Sequence, residues 1–207
     1  SANNKVVISY SDNGNSAYGT AIVGTVSGTS ISFGTAVVFE AATSTYTSAT
    51  FDSNANKVVI AYRDDGNSQY GTAIVGTVSG TSISFGTAVV FNSVSTSDIS
   101  TTFDSTNNKV VISYTSSVAG SGTVITGTVS GTSISFDSAL VFDTYGTFSS
   151  ATFDSNANKV VIAYRNTSTY GTGIVFTVPT TNNTSFIGIT DAAISSAASG
   201  SVTIKGG

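Results

Sequence analysis

At 207 residues the chain can bury a sizeable core without help from metals or disulfides, and with only 9% of positions charged its polar surface comes mostly from Ser, Thr, Asn and Gly. A net charge of −4, made of eleven acids and seven bases scattered singly, leaves no basic stripe to neutralise a phosphate backbone and argues against nucleic acid as a partner. The absence of Cys and His removes disulfides, thiolate and imidazole metal sites and the usual Ser-His-Asp and Cys-His nucleophiles, and no apolar run reaches the ~18 residues of a membrane helix.

One unit is copied along the chain. FDSNANKVVIAYR stands at 51–63 and again at 153–165, with FDSTNNKVVISYT from 103 and NNKVVISYS from 3; Lys5, Lys57, Lys109 and Lys159 mark equivalent positions. A period near 50 residues points to propeller-like or other β-repeat architectures. The first copy (3–39) lacks its first strand, two copies are complete (47–91 and 97–142), and a fourth begins near Ser149.

Within the second copy, TSATFD (47–52) and KVVIAY (57–62) read as short strands flanking DSNAN, a cluster of residues that bond their own backbone in tight turns. YGTAIVGTVS (70–79) and TSISF (81–85) flank Ser79-Gly80, where glycine accepts the positive φ of a two-residue turn. The expected fold is therefore all-β: repeats of about 50 residues, each a four-stranded antiparallel meander, propeller-like, with an extended β-repeat fibre as the alternative. GTAVVF (86–91) fits either a continuation of the fourth strand or the crossing to the next copy.

Two regions follow from this pattern: a β-repeat domain over 1–178 and a divergent segment over 179–207, where Pro179 ends the strand and TTNNT replaces the Ser-Gly turn. The tail reads as two irregular strands, SFIGI and SVTIK, with 191–198 (DAAISSAA) the only helix-permissive stretch. SVTIK is a candidate for the strand missing from the first copy, closing a four-bladed ring; otherwise these residues belong to a longer fibre.

In an up-down blade, the turns joining strands one to two and three to four share one end. There the copies are nearly identical: DSNANK, DSTNNK, DSNANK and, in three copies, VSGTS. The other end carries divergent connections, SDNGNSAYG, RDDGNSQYG, TSSVAGSG and RNTSTYG, then EAATSTYT, NSVSTSDI and DTYGTFS. Loops on a rigid scaffold carry recognition, so the candidate ligand-binding residues lie here: Tyr18, Tyr46, Arg63, Asp64, Tyr70, Asp98, Tyr145, Arg165 and Tyr170. Tyr10, Tyr62, Tyr114 and Tyr164 read as strand residues, and the equivalence of Arg63 and Arg165 fits a bridge to a nearby Asp as well as a ligand contact.

A carboxylate pair for glycoside cleavage could be drawn from Glu40, Asp64, Asp65 and Asp98, but no acid-base partners accompany it, and Asp52, Asp104 and Asp154 recur in one turn position as turn formers. No enzyme activity and no cofactor are expected. SDNGNS and RDDGNS superficially resemble calcium loops and Asp-box turns, making Asp12, Asp64 and Asp65 the metal candidates; an Asx turn is the favoured reading, since the third and fourth loops carry no carboxylate.

The repeats FDSNANKVVIAYRDDGNSQYGTAIVGTVSGTSISFGT, with the terminal SFIGITDAAISSAASGSVTIKGG, resemble repeats in tail-fibre and other tail-associated proteins of marine bacteriophages. That resemblance implies an extracellular virion appendage adhering to a host-surface glycan or envelope protein, with self-association or other tail proteins as further partners. It carries over no catalytic residue. The alternatives are a structural filament subunit without a ligand and a carbohydrate-binding lectin of non-viral origin.

Overall fold

The computed structural model describes residues 4–179, and within them the chain is all-β, with antiparallel sheets and no α-helix. Unit 1 comprises β1 (Lys5–Asp12), β2 (Tyr18–Ser27), β3 (Ser30–Phe33) and the start of β4 (Val37–Asp52). Unit 2 takes the rest of β4, then β5 (Lys57–Asp64), β6 (Tyr70–Ser79), β7 (Ser82–Phe85) and the start of β8 (Val89–Asp104). Unit 3 continues with the rest of β8, β9 (Lys109–Ser116), β10 (Ser121–Ser130), β11 (Ser133–Phe136) and β12 (Leu140–Asp143); unit 4 has β13 (Thr147–Asp154), β14 (Lys159–Arg165) and β15 (Gly171–Phe176). SFIGI, SVTIK and 191–198 lie outside the described residues.

Each complete unit is a four-stranded meander whose outermost strand comes in two pieces. In unit 2, β7 pairs with the end of β6 (Gly76↔Phe85, Ser79↔Ser82), and the start of β8 pairs with the beginning of β6 (Ala73↔Val89, Thr72↔Val90). The segment around Gly86 thus links the two halves of the fourth strand. The same β8 then becomes the first strand of unit 3, pairing Phe103 with Val110 and Asp104 with Lys109.

This overturns the expectation of a loop between units at 40–47 and 92–99. Both connections are unbroken strand, β4 and β8, each 16 residues long. Runs of Val, Ser and Thr keep the backbone extended, and one residue in each, Tyr46 or Asp98, turns to a positive φ of 51°, where the pairing register slips. Only the third connection opens into a turn, at 144–146, where Asp143 Oδ1 accepts the Tyr145 amide at 2.9 Å; its register slip, at Phe148 (φ 53°), falls inside β13.

The two classes of connection stay at opposite ends. Asp52↔Lys57 and Ser79↔Ser82 mark one end of unit 2, while Asp64↔Tyr70 and Tyr70↔Ser95 mark the other. At the uniform end the repeated aspartate caps its turn: Asp52 Oδ1 accepts the amides of Asn54 and Ala55 at 2.9 and 2.8 Å, and Asp104 and Asp154 do the same. Asn56, Asn108 and Asn158 close these turns in the left-handed region, which asparagine tolerates.

The cores lie between units rather than within them. One face of each sheet, here called leading, presents Val58, Ile60 and Tyr62 of unit 2 to Ala21 and Phe39 of unit 1. Its trailing face presents Val59, Ala61, Ala73 and Val75 to unit 3, and Val111, Val124 and Phe142 of unit 3 meet Val160, Ile162 and Tyr164 of unit 4 in the same way. Such alternation along KVVIAY is what a strand covered on both faces requires.

Candidate functional site

At the variable end the backbone is far more uniform than the sequence. In the first three units the loop after the second strand places Ala17, Gln69 or Gly120 at positive φ, and its carbonyl accepts the amide of Ser44, Thr96 or Gly146. The residue opening each loop also plays one role in three chemistries: Asp12, Asp64, Ser116 and Asn166 each accept, through the side-chain oxygen, the amide two residues on. Asp64 takes a second amide, from Asn67, and is buried. Asp12 and Asp64 are therefore Asx-turn formers. Different side chains are displayed from one fixed frame.

Several apolar side chains at this end face outward. Tyr170 and Val118 are each 62% exposed, and Tyr46 and Tyr145 project from the crossings between units. Tyr18 and Tyr70 open β2 and β6 and are half-buried, so less of each ring reaches solvent.

The left-handed residue in each crossing meets the end of the second strand, and the pair changes together. In unit 2 the Arg63 guanidinium lies over the Tyr46 ring at 5.0 Å and bonds Asp65 Oδ1 through Nε at 2.7 Å. The equivalent pair in unit 4 is Arg165 over Phe148 at 4.7 Å, with Arg165 Nε donating to Thr147 Oγ1. In unit 3 it is Thr115, whose hydroxyl donates to Asp98 Oδ2 at 3.0 Å. The bridge to an Asp is real for Arg63 and replaced by a hydroxyl for Arg165. The unit 3 and unit 4 pairs are joined directly, Ser149 beside Phe148 donating to the Asp98 carbonyl at 2.9 Å.

Tyr62, Tyr114 and Tyr164 are buried strand residues, as their alternation implies; Tyr10, in unit 1, is half-buried. Burial pushes the Tyr114 phenol up to about 12 and raises Tyr62 further, with Glu40 adding to the effect. The Tyr62 hydroxyl donates to Glu40 Oε2 at 3.1 Å. Glu40 is itself held above the ordinary carboxylate range by partial burial and then by the negative charge of Asp64. Of the four carboxylates considered for a hydrolytic pair, Glu40 and Asp64 are thus neighbours, yet Asp64 is committed to its loop amides and Asp65 to Arg63.

Sequence reasoning missed Phe148 and Thr115. Phe148 is 64% exposed, and its equivalence to Tyr46 and Asp98 was available from the repeat alignment alone. No protein-family model matches the chain, and neither a curated protein nor a solved structure matches it.

Proposed function

We propose that this chain is a non-enzymatic adhesion module of propeller-like build, of the kind carried on a phage tail fibre or similar extracellular appendage, and that its variable end binds a host-surface glycan. The observation that carries this reading is the set of exposed aromatic rings at that end, Tyr46, Tyr145, Phe148 and Tyr170, two of them bordered by a guanidinium. Flat apolar faces beside charged hydrogen-bond donors suit the apolar faces and hydroxyl edges of sugar rings. At the uniform end the repeated aspartates cap turns, and the Ser-Gly turn there packs on the neighbouring unit: a side chain at Gly34 or Gly86, midway along the outer strand, would strike Thr81 or Thr132 of the next unit.

Glycan-array and whole-cell binding of the chain tests this. Replacing Tyr46, Arg63, Phe148, Arg165 and Tyr170 together by Ala abolishes binding while the β-rich circular dichroism spectrum persists, and Asn54→Ala at the uniform end leaves binding intact. Retention of full binding by the five-site variant would end the assignment.

A further inference from the structure

At the variable end, units 2 and 3 each direct a threonine hydroxyl onto a carboxylate. In unit 2 three donors converge on Asp65: Arg63 Nε on Oδ1 at 2.7 Å, Arg63 Nη2 on Oδ2 at 3.4 Å and the Thr45 hydroxyl on Oδ2 at 3.3 Å. Thr45 and Arg63 face each other across the β4–β5 ladder, and the guanidinium lies over the Tyr46 ring. In unit 3 the acid comes from the crossing instead, Asp98 Oδ2 taking the Thr115 hydroxyl at 3.0 Å.

Unit 4 repeats the donors of unit 2. Thr147 pairs with Arg165 as Thr45 pairs with Arg63, and the guanidinium stands 4.7 Å over Phe148, against 5.0 Å over Tyr46. The two places from which the other units supply the acid carry different residues. The crossing has Phe148 where unit 3 has Asp98, and the second residue after the arginine is Thr167 where unit 2 has Asp65. Arg165 Nε turns to the Thr147 hydroxyl at 3.2 Å. That hydroxyl still has its own proton to donate, and the terminal nitrogens of the guanidinium form the planar fork that matches a carboxylate.

The surroundings of this fork favour a sugar acid. Phe148 is 64% exposed, so ring area stands beside the guanidinium for the apolar face of a pyranose, and the adjoining loop exposes Thr167, Ser168 and Thr169 to its hydroxyls. The partner that the same donors hold in unit 2 is a carboxylate, which selects a carboxylated sugar over a sulfated one.

From this we infer that Thr147, Phe148 and Arg165 take the carboxylate of an acidic sugar, of the uronic acid class, in the position that Asp65 occupies in unit 2. The assignment rests on the glycan binding proposed above and narrows it to carboxylated glycans. It also divides the rim by charge: the unit 2 cation is already matched by Asp65 and meets neutral parts of the glycan, while the unit 4 cation selects for the acid. Because the site is open to solvent, the preference weakens as ionic strength rises.

An array that prints each carboxylated glycan beside its carboxyl-reduced and its sulfated counterpart tests this with the full chain. The parent is expected to bind the carboxylated members about tenfold more tightly than the reduced ones. Thr167→Asp, at an exposed loop position, supplies the acid from within and removes that preference, as does Arg165→Gln; thermal melting of each variant reports that the fold persists. Ser53→Asp, exposed at the uniform end, makes the same change in net charge and keeps the preference. Equal binding of carboxylated and reduced members, a stronger response to sulfated ones, a preference that survives Arg165→Gln, or an equal loss in Ser53→Asp would each overturn the inference and leave glycan binding standing. Failure of the parent to bind any glycan would end both.

Discussion

Phe91, on the fourth strand of unit 2, meets Tyr114, on the second strand of unit 3, with ring centroids 5.2 Å apart and planes inclined at 59°. Phe39 and Tyr62 repeat the contact at 5.0 Å and 59°, and Phe142 and Tyr164 at 4.9 Å and 59°. One tilted aromatic pair therefore fastens every junction between consecutive units. Truncating Phe91 to Ala is expected to cost about 3–5 kcal/mol in urea unfolding, from lost burial plus the cavity left behind. A loss below about 1 kcal/mol would show that the junction is held elsewhere.

The same phenylalanine explains a glycine. A Cβ on Gly71 would lie 2.5 Å from Phe91 Cε2, whereas one on Gly171, at the equivalent place in unit 4, meets nothing within 4 Å. Gly71→Ala should destabilise by about 1–3 kcal/mol through overpacking, and Gly171→Ala should be neutral. Equal effects of the two substitutions on the thermal midpoint would contradict the packing described.

Asp104 is buried and its Oδ1 accepts the amides of Thr106 and Asn107 at 2.9 and 3.0 Å. Asp104→Ala leaves those donors without their acceptor and should cost about 1.5–3 kcal/mol, while Asp104→Asn, which keeps a carbonyl oxygen in place, should recover most of it. Denaturant titration of both variants decides the matter, and an Asn variant as unstable as the Ala variant would rule out the capping role.

These examples show what could be read in advance. KVVIAY, the Asp-Ser-Asn turns and the Ser-Gly turns announced strands two and three and the uniform end, because alternation and turn chemistry are local. The crossings did not announce themselves. Their single left-handed position is filled by Tyr46, Asp98 and Phe148, none of them a glycine, so nothing local distinguishes a strand with one register slip from a loop. The pairings of Tyr46 with Arg63 and Asp98 with Thr115 were equally hidden, since residues 17 positions apart become partners only once the register is known.

Glu40 gives a pH dependence with a definite sign. Its carboxyl is raised above 4.5 in the fold by desolvation first and the Asp64 charge second, so its contribution to stability is full below 4.5 and declines as pH rises through the raised value. Glu40→Gln keeps an acceptor for the Tyr62 hydroxyl without the charge. The variant should melt higher than the parent at pH 7 and show a smaller difference at pH 4; a pH-independent difference would dismiss the carboxylate as the cause.

Arg63 and Tyr46 should be energetically coupled. A double-mutant cycle with Arg63→Ala and Tyr46→Ala is expected to return about 0.5–1 kcal/mol, the range for a cation over an exposed ring, measured by chemical denaturation at low salt. Strict additivity would mean that the stacking contributes nothing to stability.

The undivided β8 has a consequence for how such a gene can change. Because the chain passes from one sheet to the next without a linker, and Val89–Asp104 has its counterpart in Val37–Asp52, excision or duplication between any two matching points rejoins an intact backbone ladder. Recombination can thus add or drop a whole period without creating a frayed seam, and the length of the array becomes a heritable variable separate from the residues its rim displays.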